Sequence, residues 1–142
     1  MTTETLAAAV APVQNASLDE LKGAIGTIFS VLSFGASSVE ANHKRTTTIQ
    51  LLDIVGAHQA KVELLRITTK TGATLALKSA GKGTVLSGTG TNDMIVETDG
   101  PTGQFDLEVT DSSAETITVA VGTTQSSGFV DCRATIDLAF AG

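Results

Sequence analysis

The residues of this 142-residue chain that could do chemistry are mostly carboxylates: Asp99, Asp106, Glu108, Asp111, Asp131 and Asp137. Asp106 and Glu108 stand two apart, which on a strand places them on one face. A pair of carboxylates roughly 5–9 Å apart across a cleft is the machinery of glycoside hydrolysis, and its cleft needs groups that bind the sugar. The chain offers no Tyr and no Trp for such a lining. Turns at Asp99 and Asp111 hold oxygen atoms suited to calcium, but no twelve-residue loop of the required pattern surrounds them. Ser112, Ser113, Ser126 and Ser127 have no nucleophile context. His43 and His58 are isolated from each other and lack cysteine partners, so they read as surface residues and not as zinc ligands. Cys132, the one cysteine, excludes an internal disulfide. It alternates with Val130, Ala134 and Ile136, which marks it as a small buried hydrophobe.

One stretch resembles a phosphate loop, Gly81-Lys82-Gly83-Thr84. The full motif needs a glycine five residues before Gly81 and a Ser or Thr directly after the lysine. Ala76 and Gly83 occupy those positions, so nucleotide binding is rejected. The residues therefore predict no catalytic, cofactor-binding or metal site, no cofactor, no small-molecule substrate and no enzymatic activity.

Charge points the same way. The net charge is -6. Residues 92–142 carry nine acids against Arg133 alone, while residues 1–91 carry six acids and eight bases. An acidic C-terminal half does not suit a nucleic-acid binder. The asymmetry fits docking by complementary charge and equally a solvated sheet face. No apolar run approaches 18 residues, so no membrane span is expected. The N-terminus lacks the basic region of a signal peptide.

The elements that would position these groups are strands. Residues 98–121, TDGPTGQFDLEVTDSSAETITVAV, read as a hairpin. Phe105, Leu107 and Val109 alternate with Asp106 and Glu108, and Ile117, Val119 and Val121 repeat the period after a turn at Asp111, Ser112 and Ser113. Further strands are expected at 46–55, at 60–69 with a bulge near Leu64 or both faces covered, at 73–77, at 92–98 and at 129–140. Residues 37–42 suggest a short edge strand. The last strand carries the longest alternation, with Cys132, Ala134, Ile136, Leu138 and Phe140 inward and Asp131, Arg133 and Asp137 outward. Its length suggests a central strand or one shared between subunits. Residues 78–91 are rich in glycine and read as an exposed loop with Val85 and Leu86 tacked to the core.

Ahead of the strands, residues 17–34 read as a helix. Ser17 and Glu20 match a capping box, and Leu21, Ile25, Ile28 and Leu32 form one stripe. Residues 29–34, FSVLSF, also fit a strand. Residues 1–16 read either as an arm ordered against a neighbour or as a frayed terminus. The division expected is an arm and short helix over 1–34, then a sandwich over 35–142. The fold class is mainly β: an antiparallel β-sandwich of immunoglobulin-like type without the Cys and Trp signature of antibody domains.

With these residues in place a resemblance emerges. Residues 46–67, TTTIQLLDIVGAHQAKVELLRI, are similar to the opening of a β-sandwich module in virion structural proteins of tailed bacteriophages. Asp53 and Gly56 fit its Asp-x-x-Gly turn, and Arg66 fits its following strand. Thr98, Asp99 and Gly103 approximate its second turn, with one extra residue. Bacterial adhesin modules share these turns. The resemblance implies a non-enzymatic virion protein, most like a capsid decoration (cement) protein. It would lie on the outer surface of the head after assembly in the host cytoplasm. Its implied partners are the major capsid protein and itself, as a homotrimer. Other roles in the same range are a head fibre, neck or tail component, or a cell-surface adhesion module.

Overall fold

The computed structural model describes residues 31–124 and 130–142. The expected arm over 1–16 and the helix over 17–30 lie outside the described residues. The last four residues of that helical segment form a strand, β1 (Val31–Phe34). It pairs with the next strand from Val31↔Leu52 to Phe34↔Ile49 and buries Leu32. Over 31–34 the strand reading of that segment holds, because a neighbouring strand supplies partners that outweigh local helical spacing.

Eight strands follow: β2 (Lys44–Leu52), β3 (Leu64–Thr68), β4 (Thr74–Leu77), β5 (Thr84–Ser87), β6 (Asp93–Glu97), β7 (Gln104–Thr110), β8 (Ala114–Thr124) and β9 (Val130–Ala141). They form two antiparallel sheets, ordered β1-β2-β7-β4 and β5-β6-β3-β8-β9. The first sheet facing β3-β8-β9 follows the immunoglobulin-type order, with the β5-β6 hairpin added beside β3.

The core is the set of inward residues along each strand. Ile49 and Leu51, Leu65 and Ile67, Met94 and Val96, Phe105, Leu107 and Val109, and Val119 and Val121 are fully buried. Each large apolar side chain buried this way contributes roughly 1.5–3 kcal/mol of transfer free energy. Strand β3 keeps a single inward parity and needs no bulge. Leu65 and Ile67 face the core while Leu64 is exposed.

The predicted hairpin of residues 98–121 is not a hairpin. Strand β7 lies between β2 and β4, and β8 lies between β3 and β9 in the other sheet. Residues 111–113 form an arch that crosses the sandwich. Period two decides which residues are buried but not which strand is the neighbour, and an arch buries the same side chains as a hairpin. The arch is built on Asp111, which is buried. Its Oδ1 accepts the Ser113 N–H at 2.9 Å, and its own N–H donates to the His43 carbonyl at 3.0 Å.

Three smaller expectations also change. Residues 37–42 form no strand. They follow β2 through Gly35 N–H to Thr48 O and Ser38 N–H to Thr46 O, both 2.8 Å. The glycine-rich stretch contains β5, paired with β6 through a register shift between Val85 and Ser87. That irregularity hid its alternation. Finally, β9 is an edge strand of its sheet among the described residues. Its ladder with β8 shifts register between Val121↔Ala134 and Gly122↔Cys132. The extra residue, Arg133, reverses the facing of what precedes it. Cys132 is consequently exposed, and Arg133 turns inward.

Candidate docking face and ion-pair sites

The carboxylates that share a strand face, Asp106 and Glu108, stand on the outer side of β7. Their cross-strand partners on β2 are Thr48 and Thr46. Thr48 Oγ1 donates to Asp106 Oδ1 at 2.7 Å. Glu108 is clasped by two lysines, Lys44 Nζ at 3.1 Å from Oε1 and Lys78 Nζ at 3.7 Å from Oε2. Two adjoining concavities, of about 350 and 370 Å³, lie over this row and share Ser38, Thr46 and Lys78. The trough sets hydroxyl, lysine and acid side chains beside Ala36, Val39 and Ala41, and each of its acids already has a partner. It can hold a polar surface by hydrogen bonds and offers no unpaired carboxylate pair for acid–base work.

The remaining sequence candidates are dispersed. Asp99 accepts the Thr102 hydroxyl at 2.7 Å within its turn. Asp111 is the buried arch residue, and Asp137 accepts the Thr118 hydroxyl at 2.7 Å on the outer face of β8-β9. Both histidines are exposed. His43 and Asn42 have φ of 64° and 53° between the reciprocal Ala41 and Lys44 bonds of 3.0 Å, which is a tight type I′ reversal. His58 bridges Leu52. Among the described residues no group of three or more His, Cys, Asp or Glu is arranged to hold a metal ion. Also among them, no helix is long and apolar enough to cross a membrane.

The glycine of the rejected phosphate loop has a packing role. Gly83 adopts φ +118°, and a Cβ there would sit 2.4 Å from the Phe105 ring. Close approach to the core requires glycine at that point. Lys82 beside it points to Gln104 Oε1 at 3.3 Å.

The two turns singled out by their Asp and Gly residues meet at one end of the sandwich. Asp53 Oδ1 accepts the N–H groups of Val55 and Ala57, both at 2.9 Å. Gly103 N–H donates to Asp99 O at 2.6 Å. Leu51 N–H donates to Gly103 O and Gln59 N–H to Leu51 O, both at 2.9 Å, while Gln50 Nε2 donates to Thr102 O at 2.9 Å. Gly103 has φ +66°, and a Cβ on it would lie 1.9 Å from the Gln59 carbonyl. The close approach between the two loops therefore demands glycine.

Two further ion pairs flank β3. Arg66 donates to Asp93 through both Nε (2.8 Å) and Nη2 (2.5 Å). This forked bond holds the Asp93 carboxyl below its ordinary range and raises the Arg66 guanidinium, against a smaller opposing effect of burial in each case. Lys70 is raised in the same way, chiefly by its bond to Glu115. The second pair beside β3, Glu63 with Arg133 at 2.5 Å, is largely enclosed and was missed in the sequence. The signal for it was there. Glu63 falls on the same parity as Leu65 and Ile67, and a charge on an inward parity calls for an opposite charge.

No protein-family model matches the chain, and no curated protein matches it. Among solved structures the chain is similar to the β-glucuronidase of Parabacteroides merdae, with a TM-score of 0.45 and 18% identity. A second structure of that enzyme, with glycerol in its active site, gives a TM-score of 0.44 and 18% identity. Both likenesses cover 78% of this chain, which spans 12% of the enzyme's length.

Proposed function

We propose that this protein is a non-catalytic structural module that decorates the outer surface of a tailed-phage capsid and bridges major capsid subunits, as a homotrimer. The observation that carries the proposal is the pair of turns behind the resemblance, at 53–56 and 98–103. They interlock through Leu51, Gln59 and Gly103 and so act as one architectural unit. The disposition of charge supports a scaffold as well. Asp106 and Glu108 are engaged by Thr48, Lys44 and Lys78 on a polar, threonine-lined face suited to contact with another polar surface. Symmetric repetition multiplies modest contacts of this kind, which is how a small clip reinforces a shell.

The experiment is a count of copies on purified heads. A decoration protein is present in hundreds of copies per particle. A neck or fibre component is present in far fewer, and a cell-surface module in none; either result rejects the capsid role. Removal of residues 1–16 sharpens the assignment. The truncated chain is expected to keep its β-sheet circular dichroism and to lose head binding, and undiminished occupancy would reject the arm as the clip.

A further inference from the structure

We infer that the end of the sandwich roofed by residues 53–63 and 98–103 is the docking surface for this chain's own residues 17–30. Seven large apolar side chains are exposed among the described residues, and five of them belong to this end: Val31, Ile54, Val55, Val62 and Leu64. Val31 pairs with Leu52 at the start of β1. Ile54 and Val55 occupy the turn that follows Leu52, pinned by the Val55 and Ala57 N–H bonds to Asp53 Oδ1. Val62 leans over the neighbouring crossover, where a Cβ on Gly100 would lie 3.3 Å from its Cγ2. Leu64 opens β3 in the other sheet. The bonds among Leu51, Gln59 and Gly103 tie the two crossovers together, so the surface is held in place before anything lies on it. The opposite end carries Glu40, Lys44, Lys70 and Glu115 instead. A gathering of exposed apolar side chains at one end marks a contact site.

Where the chain arrives names the occupant. Ser30 is bonded directly to Val31, so residues 17–30 reach this end with no linker between them and the surface. A segment tethered this closely meets the surface at an effective concentration of roughly millimolar or above, which a second copy or a separate partner would have to supply from solution. The chemistry matches. Leu18, Leu21, Ile25 and Ile28 recur at intervals of three, four and three. On a helix they form one apolar stripe, with Glu20, Gly23 and Thr27 on the other side. A short helix containing Gly23 and Gly26 is marginal in water and draws its stability from burying such a stripe. At 1.5 Å per residue the segment is about 21 Å long. That length crosses the roughly 10 Å between two packed sheets and reaches from Val31 to Leu64. Docked in this way the segment caps the interlocked turns and delivers residues 1–16 to the Leu64 side of the sandwich.

Methyl NMR of the full chain, labelled at Ile, Leu and Val, tests this. Cross-relaxation peaks are expected between the methyls of Ile25 or Ile28 and those of Val55 or Val62. They are expected to be absent from the isotope-filtered spectrum of an equal mixture of labelled and unlabelled chains, since each segment docks on its own sandwich. Intermolecular peaks in that mixture would assign the surface to a second copy and overturn the proposal. I25D is expected to abolish the peaks and lower the urea midpoint, and V55D/V62D, on the surface itself, to do the same. Both sets of substitutions break one contact, so the triple variant is expected to lose no more than the larger of the two alone. Fully additive losses overturn the proposal, as do Val55 and Val62 methyls that do not move in I25D. The β-sheet circular dichroism of each variant controls for the sandwich fold. Removal of residues 1–16 leaves the stripe intact and is expected to preserve the peaks; their loss would place the contact in residues 1–16 and overturn the assignment. Head binding enters none of these measurements, so their outcome is independent of the capsid role.

Discussion

The protein pairs acids with bases in two contrasting places. On the outer face of the four-stranded sheet, Glu108 sits between Lys44 and Lys78, whose side chains are 49% and 52% exposed. On the inward side of β3 and β9, Glu63 and Arg133 are only 14% and 15% exposed. In the first arrangement the two lysines are solvated while Glu108 itself is 16% exposed, so its charge reaches water through them. The second withdraws both charges from water, and Glu63 Oε2 lies buried with no hydrogen-bond partner among the described residues. An enclosed pair is weak evidence for net stability, yet breaking it from one side leaves an uncompensated charge. The two regions should therefore respond very differently to loss of one partner.

The largest effect is expected at the enclosed pair. R133M is predicted to destabilise the fold by about 3–5 kcal/mol, because Glu63 loses its counter-charge while remaining shielded. The double variant E63M/R133M should recover most of that loss, since two apolar side chains of similar length leave no charge to solvate. Urea unfolding of the parent and both variants measures this. A double variant as unstable as R133M would mean that Arg133 acts through its hydrogen bond to Thr123, at 2.9 Å, and not through its charge.

The contrast also explains what could be read from the sequence. Strands β2, β6 and β7 follow from uninterrupted alternation, and Phe105, Leu107 and Val109 are buried as that pattern requires. The outward placement of Asp106 and Glu108 follows from it too. Alternation fails where a register shift intervenes. One residue inserted at Arg133 was enough to exchange the inner and outer roles of Cys132 and Arg133. It also fails to name partners: β7 and β8 are adjacent in sequence but belong to opposite sheets. The arch at Asp111 and a hairpin turn draw on the same polar residues, and only long-range pairing separates them. The trough over Thr46 and Thr48 was not legible at all, because its walls at Ser38 and Lys78 come from segments remote in sequence.

A smaller effect is expected on the outer face. E108Q removes the carboxylate between Lys44 and Lys78 and is predicted to cost about 0.5–1 kcal/mol at low ionic strength. The difference from the parent should shrink toward zero in about 1 M salt, where the screening length falls to roughly 3 Å. R133M should keep most of its loss under the same conditions, because enclosed charges are screened much less. Paired unfolding curves at low and high salt test this. Equal salt sensitivity in the two variants would erase the distinction between the two regions.

The smallest effect belongs to Asp93, the most exposed of the three acids: it is forked by Arg66, but its side chain is 42% exposed. Its carboxyl is held below the ordinary range in the folded protein, first by the bond from Arg66. In the unfolded chain it titrates near the usual value of about 3.9. A depressed folded value means that the unfolded state binds the proton more readily, so acid favours unfolding. The stabilisation is fully present above about pH 3.9 and is lost as pH falls through the lower, folded value. D93N removes that linkage. The parent should therefore be the more stable of the two at neutral pH, and the gap should narrow on acidification below about pH 4. Thermal unfolding of both chains between about pH 2 and pH 7 measures the gap. A gap that stayed constant over that range would assign the contribution of Asp93 to its hydrogen-bond geometry, which asparagine disturbs at every pH, and not to its charge.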